Sequence, residues 1–251
     1  MIRNHRLALG IAPMTLCSFL CAQSPLTPGN LVVMRVGTGA AALSSAGQAD
    51  FLDEYTSTGA LVQSIPLPTA VAGTNLPFVN SGTATSEGSL NISTDGRWIT
   101  CAGYNAIPGT TGVAASATTT ITRGIARIDA TTGAVDTSTS VNNAFSANNP
   151  RSAITENGTQ FWMSGGTSGV QMVTLGGTTG TAVNTTTPLN NRILGIFNGQ
   201  LYTSSASNPF YGISTVGTGL PNSTGQSIVL MSGFPTATGP SPYDFFFADA
   251  N

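Results

Sequence analysis

One repeated position of the chain carries two arginines. Ser89, Arg151 and Arg192 take equivalent positions when the glycines of three Asp-Gly or Asn-Gly pairs are superposed. Guanidinium groups bind carboxylate and sulfate oxygens in a bidentate manner. These three residues are therefore a candidate site for a carboxylate, a sulfate or a sugar acid. The alternative is that each arginine binds a backbone carbonyl or an acid of the neighbouring repeat.

Catalytic groups are scarce once the first 22 residues are set aside. The single histidine is His5, and the chain contains no lysine. Ser-His-Asp and Cys-His catalysis, imidazole metal sites and Schiff-base chemistry all need one of these residues. We therefore predict no catalytic residue, no metal and no cofactor.

Carboxylate pairs remain one possible route to hydrolysis. Asp50, Asp53 and Glu54 are close in sequence, but Asp53 and Glu54 alternate along a predicted strand and so face opposite sides. We expect these acids to lie on a solvated strand edge. Cys101 falls in the predicted strand RWITCAGY, where we expect a small buried hydrophobe.

The N-terminus has the features of a secretory signal peptide. Arg3, His5 and Arg6 precede an apolar run that is too short and too broken to span a bilayer. We predict a signal peptide over residues 1–22 and a mature domain over residues 23–251. A secreted, periplasmic or cell-surface location follows, with no membrane span after cleavage.

The charge of the mature chain excludes one class of partner. It has six arginines against all ten acids, which gives a formal charge of −4. Binding to nucleic acid needs clustered Lys and Arg side chains that neutralise phosphates. We therefore exclude nucleic acid, and anionic membrane surfaces for the same reason.

Two kinds of β-hairpin alternate along the mature chain. In the Asx-Gly hairpins, an Asp-Gly or Asn-Gly pair joins two apolar strands, because these pairs tolerate the positive φ of tight turns. In the Thr-Gly hairpins the turn is rich in Thr and Gly. The Asx-Gly hairpins span 89–104, 151–166 and 192–206, and the Thr-Gly hairpins span 51–65, 124–139, 169–183 and, more loosely, 211–223.

One hairpin of each kind makes a four-stranded unit, and the later units repeat after about 40–45 residues, as propeller blades do. We predict an all-β fold, an incomplete β-propeller of three to four blades, with a β-sandwich or a β-solenoid as the alternatives. Long loops at 66–88 and 105–120 explain the wider early spacing. Residues 243–251 resemble the first strand of another Asx-Gly hairpin, which suggests that the domain is truncated at its C-terminus.

The chain resembles uncharacterised secreted bacterial β-propeller proteins. The resemblance rests on the segments DFLDEYTSTGALVQSIPLP, TSEGSLNISTDGRWITCAGY, NGQLYTSSAS and GFPTATGPSPYDFFFADAN. It implies a propeller and export, and it transfers no catalytic residue. In a propeller the first strand of each blade lines the central channel, so Ser89, Arg151 and Arg192 would lie near the channel mouth.

Three functions remain open from the sequence. The first is a non-catalytic extracellular or periplasmic module that binds a protein or a glycan. The second is a surface structural or adhesive protein, suggested by the Thr-rich runs at 117–122 and 183–188. The third is a sugar or lactone hydrolase that uses carboxylates or a metal, with the catalytic half missing.

Overall fold

The fold is all-β. The computed structural model describes residues 23–248, and within that range sixteen strands and no α-helix are present. No helix in this range is long and apolar enough to cross a membrane. The predicted signal peptide, residues 1–22, and the last three residues lie outside the described part.

The strands form four antiparallel groups that follow one another along the chain. In chain order they are β1 (Leu31–Val36), β2 (Gly47–Tyr55), β3 (Leu61–Pro66), β4 (Val79–Ser81), β5 (Leu90–Ile92), β6 (Trp98–Tyr104), β7 (Arg123–Asp129), β8 (Val135–Val141), β9 (Pro150–Thr155), β10 (Gln160–Gly165), β11 (Gln171–Thr174), β12 (Thr181–Ala182), β13 (Leu194–Phe197), β14 (Gln200–Ser207), β15 (Phe210–Val216) and β16 (Ile228–Leu230).

We name the groups sheet 1 (β1–β3), sheet 2 (β5–β8), sheet 3 (β9–β12) and sheet 4 (β13–β16). Sheets 2, 3 and 4 each pair their four strands in chain order. Sheet 1 has three strands, with β2 between β1 and β3. The short strand β4 pairs with β2 and β6 and so joins sheets 1 and 2 at one end.

The Asx-Gly hairpins are confirmed. They are β5–β6, β9–β10 and β13–β14, and the glycine of each turn has a positive φ, as at Gly96, Gly158 and Gly199. Three Thr-Gly hairpins are also present, as β2–β3, β7–β8 and β11–β12. The fourth prediction, at 211–223, is wrong in its second half, because β15 pairs with β16, which begins only at Ile228.

The sheets stack face to face, because both faces of each strand carry side chains that pack. In β6, Ile99 and Cys101 pack towards sheet 1, whereas Ala102 packs towards sheet 3. In β10, Phe161 packs towards sheet 2 and Trp162 packs towards sheet 4. Successive side chains of a strand point to opposite faces, so one strand contributes to two cores. Cys101 is fully buried, as predicted.

The prediction for the acids of β2 is wrong. Asp50, Asp53 and Glu54 are buried, because β2 is the middle strand of sheet 1 and has no free edge. Asp53 accepts hydrogen bonds from Arg35 and Ser64. Glu54 accepts from the Thr27 backbone and from the side chains of Asn30 and Gln63. Buried carboxylates need such partners, and sequence spacing alone does not show them.

Candidate functional site

The first strands of sheets 2, 3 and 4 lie side by side. Ser152 in β9 links them: its Oγ accepts hydrogen bonds from the Asn91 side chain in β5 (2.9 Å) and from the Leu194 backbone N–H in β13 (3.1 Å). Asn91 also donates to the Ala153 carbonyl at 2.9 Å. This network fixes the neighbouring residue, Arg151, against both adjacent sheets.

The two predicted arginines lie at the starts of neighbouring first strands. Arg151 is the second residue of β9, and Arg192 lies two residues before β13. Burial lowers the pKa of Arg151, and the positive charge of Arg192 lowers it further. Each guanidinium donates to a backbone carbonyl, which is the alternative that the sequence left open. Ser89 lies half-buried just before β5 and makes no hydrogen bond to either arginine within residues 23–248.

Arg151 is held by neutral acceptors. Its Nη1 donates to Asn190 Oδ1 at 2.6 Å and to the Asn191 carbonyl at 3.3 Å. Its Nε is buried and has no hydrogen-bond partner in the described part of the chain. A buried donor without a partner costs about 1–3 kcal/mol, more for a charged group. The guanidinium is thus positioned, but its hydrogen-bonding capacity is only partly used.

Arg192 is held in the same way by the segment that follows sheet 4. Its Nη1 donates to the Ser241 carbonyl (2.8 Å), to Ser241 Oγ (2.7 Å) and to the Pro242 carbonyl (3.2 Å). Its guanidinium carbon lies 4.3 Å from the centre of the Tyr243 ring, within the range of a cation–π contact. Tyr243 is half-exposed, so its ring is accessible beside the arginine.

Neither arginine has a carboxylate within 4.0 Å among residues 23–248, and Arg123 shares this property. Arg123 is fully buried and donates to the carbonyls of Ser116, Ile121 and Asn148. Its guanidinium carbon lies 5.0 Å from the centre of the Tyr104 ring. Because all its near acceptors are protein groups and it is closed to solvent, we assign Arg123 to the structure rather than to ligand binding.

One acid, Glu87, lies within electrostatic range of both Arg123 and Arg151. Tyr104 donates its hydroxyl to Glu87 Oε1 at 2.6 Å, and the Ser81 backbone N–H donates to Oε2 at 2.9 Å. Burial raises the pKa of Glu87, while its hydrogen bonds and the charges of Arg123 and Arg151 oppose the rise. Glu87 was not predicted as a site residue, because it stands alone in a Thr/Ser-rich loop and its partner Tyr104 comes from the following hairpin.

Glu87 lines an open cleft of about 530 Å³. The walls are small polar and apolar side chains from four segments of the chain, namely Ser45, Ser81, Thr83, Ala84, Thr85, Ser86, Gly112, Ala114, Ala115 and Asn149. Asn149 also donates to Ser86 Oγ at 2.7 Å, which fixes the amide at the rim. Hydroxyl, amide and carboxylate groups of this kind both donate to and accept from the hydroxyls of a sugar.

A second polar cluster is closed to ligands. Asp50 is fully buried and accepts from the Asn80 side chain at 2.8 Å, and burial raises the pKa of Asp50 to about 8. Burial also raises the pKa of Cys101, so its thiol is protonated at neutral pH. Within residues 23–248 no group of three or more His, Cys, Asp or Glu side chains is arranged to hold a metal ion.

The comparisons with known proteins give little. No protein-family model matches the chain, and no curated protein matches it. Among solved structures, a prolyl endopeptidase is 17% identical over 84% of this chain and 27% of its own, with a TM-score of 0.38. A periplasmic gluconolactonase from Pseudomonas aeruginosa is 13% identical over 74% of this chain and 49% of its own, also with a TM-score of 0.38. At these TM-scores neither likeness establishes a shared fold or a shared function.

Proposed function

We propose that this chain is a non-catalytic extracellular or periplasmic binding module that captures acidic glycans, with Arg151 and Arg192 as the anion site. The observation that carries the proposal is that the guanidiniums of Arg151 and Arg192, at the starts of neighbouring first strands, are held by neutral oxygens and have no carboxylate within 4.0 Å in the described chain. An anion that binds between them relieves their mutual repulsion and supplies acceptors for their remaining N–H groups.

The surroundings of the arginines fit a sugar better than a small inorganic anion. Tyr243 offers an aromatic ring next to Arg192. Such a ring packs against the apolar face of a sugar, while its hydroxyl stays in contact with water. The cleft at Glu87 and Asn149 adds hydroxyl, amide and carboxylate groups within electrostatic range of Arg151. Ser89 stays a predicted member of the site, as the third residue of the repeated position.

The propeller remains part of the proposal. Sheets 2, 3 and 4 repeat the same four-stranded order, they stack face to face, and their first strands lie next to one another. We interpret the four sheets as blades and the line of first strands as the wall of a channel. Export through the signal peptide at 1–22 would place this channel outside the cytoplasm.

The test is a calorimetric titration of the mature chain with two matched ligands. The first ligand is an oligogalacturonide, which carries a carboxylate on each sugar, and the second is the same oligosaccharide with its carboxylates reduced to alcohols. We expect the acid to bind at least tenfold more tightly, with an affinity that falls as salt is raised. Equal affinity for the two ligands, or no binding of either, would contradict the proposal.

The hydrolase interpretation is favoured by one observation, the Glu87 carboxyl with its raised pKa in an open cleft. The general acid of glycoside hydrolysis is a carboxyl group whose pKa is raised by its surroundings. The charge of Glu87 helps to raise the pKa of one other acid, Asp50, which is fully buried and cannot contact a sugar. Reducing ends released during the titration by the wild type, but not by Glu87→Gln, would favour hydrolysis over simple binding.

A further inference from the structure

Sheet 1 lacks one strand that the other three sheets have. In sheets 2, 3 and 4 an Asx-Gly hairpin supplies the first and second strands, and the next two strands follow. The Thr-Gly hairpin β2–β3 corresponds to the third and fourth strands of that order, so β1 is the second strand. The position of a first strand, beside the free edge of β1, is empty among residues 23–248.

This position is marked by exposed apolar side chains and by clefts. Leu31 and Val33 lie on the same face of β1 and are 58% and 48% exposed, although apolar residues on one face of a strand normally pack against a neighbour. Two clefts, of about 250 and 200 Å³, lie between β1 and sheet 2, and Val32, Ile92 and Ile99 line both. An unpaired strand edge with apolar neighbours is a site for the addition of another strand.

Residues 243–248 have the opposite property, since they lie in the place of a first strand but pair with no other strand among residues 23–248. The ring of Phe245 lies against Gly195 of β13, where any Cβ would collide with it. Phe247 stacks on Phe197 and contacts Tyr202, with ring centres 4.7 Å apart in both cases. β13 lies against sheet 3 in the same manner. Phe246, between them, points away from sheet 4 and is 88% exposed.

We propose that two copies of this chain associate head to tail, with residues 243–248 of one copy added as the first strand to β1 of the other. The added strand completes sheet 1 of the second copy, which then stacks on sheet 4 of the first. Phe246 enters the cleft region beside β1, and Leu31 and Val33 become covered. The interface is heterologous, so reciprocal exchange closes a dimer and one-way exchange builds a chain.

The test measures the mass of the mature protein in solution by size-exclusion chromatography with light scattering. We expect the wild type to have at least twice the mass of one chain. The acceptor variant Leu31→Glu/Val33→Glu and the donor variant Phe246→Glu should each have a lower mass. The matched control is Leu61→Glu/Val62→Glu, because these residues of β3 are 57% and 48% exposed and lie at the other edge of sheet 1.

Mixing the two variants separates loss of association from loss of folding. The acceptor variant keeps its donor segment, and the donor variant keeps its β1 edge, so the mixture should form a 1:1 complex. Far-ultraviolet circular dichroism of each variant alone should match that of the wild type. A monomeric wild type, a control variant that dissociates as the acceptor variant does, or a mixture that stays monomeric would overturn the proposal.

Discussion

Five arginines of the described chain form two sets, one that contacts carboxylates and one that contacts only neutral oxygens. Arg35, Arg97 and Arg127 each contact a carboxylate, at distances of 2.5, 2.9 and 3.3 Å. Arg151 and Arg192, at the starts of the first strands, contact only carbonyl, amide and hydroxyl oxygens. The first set is paired with carboxylates within the protein, whereas the second has no carboxylate within 4.0 Å in the described chain.

Arg123 shows that lack of a carboxylate is not by itself a sign of binding. It is fully buried, and its donors are saturated by the loops around Ser116 and Asn148. Arg151 and Arg192 are half-buried and make hydrogen bonds through Nη1 alone. Accessibility and unused donors therefore separate Arg151 and Arg192 from Arg123, and these two features are what the proposed ligand site rests on.

The largest effect is expected at Arg123. Arg123→Met removes hydrogen bonds to three backbone carbonyls and leaves these acceptors buried without a donor, so we expect a loss of about 3 kcal/mol or more in the free energy of unfolding. Urea unfolding followed by tryptophan fluorescence measures it. A loss below about 1 kcal/mol would show that the loops do not depend on this guanidinium.

Two buried acids differ in the same respect, since Asp53 is paired with an arginine and Asp50 is not. The pH dependence of stability tests this difference. Asp50 has no cation partner, and its pKa is raised to about 8, so the folded state holds a proton that the unfolded state releases above about pH 4. This contribution to stability therefore falls as pH rises from about 4 to 8, by up to about 1.4 kcal/mol per pH unit. Asp50→Asn should remove that fall, because an amide cannot ionise and can donate to the unpaired Asn80 Oδ1.

Asp53 is the matched control for Asp50. Hydrogen bonding to Arg35 lowers the pKa of Asp53, so its contribution is present above about pH 4 and is lost as pH falls further. Asp53→Asn should therefore lower stability at neutral pH. Unfolding free energies at pH 5 and pH 7.5 compare both variants with the wild type, and equal pH slopes for Asp50→Asn and wild type would contradict the assignment of Asp50.

The smallest effect is expected at Arg97. Its side chain is half-exposed, and the ion pair with Asp129 at 2.9 Å is open to solvent. Solvent screens exposed ion pairs, so they contribute little to stability. Arg97→Met should therefore lower the free energy of unfolding much less than Arg123→Met does in the same urea assay. A loss as large as that of Arg123→Met would show that burial does not separate these two arginines.

Much of the fold could be predicted from local sequence. Asp-Gly and Asn-Gly pairs between apolar strands located all three hairpins, because the positive φ of these turns is a property of the two residues themselves. The same alignment placed Arg151 and Arg192 at the starts of adjacent first strands, and β9 and β13 do contact each other. The return strand at Ile228–Leu230 was missed, because the connection from Val216 holds several turn glycines, at 217, 219 and 225, and local sequence does not show which of them returns the chain.

Long-range contacts explain what the sequence did not show. β4 lies inside a loop predicted over 66–88, because its pairing with β2 and β6 depends on residues far along the chain. The acids of β2 are buried for the same reason, since only the placement of β1 and β3 removes the edge. Glu87 gains its partner Tyr104 from β6, and no local pattern indicates this contact.

The central claim is that the open positive charge at the first strands binds acidic glycans. The most direct measurement is the affinity of an oligogalacturonide for Arg151→Ala/Arg192→Ala beside the matched pair Arg35→Ala/Arg97→Ala, at one salt concentration. Both variants lose two positive charges, but only the first removes the proposed site. The account predicts about a 100-fold or greater loss for the first pair, from two charge-assisted contacts, and little change for the second. Equal losses in the two variants, or no loss in the first, would contradict it.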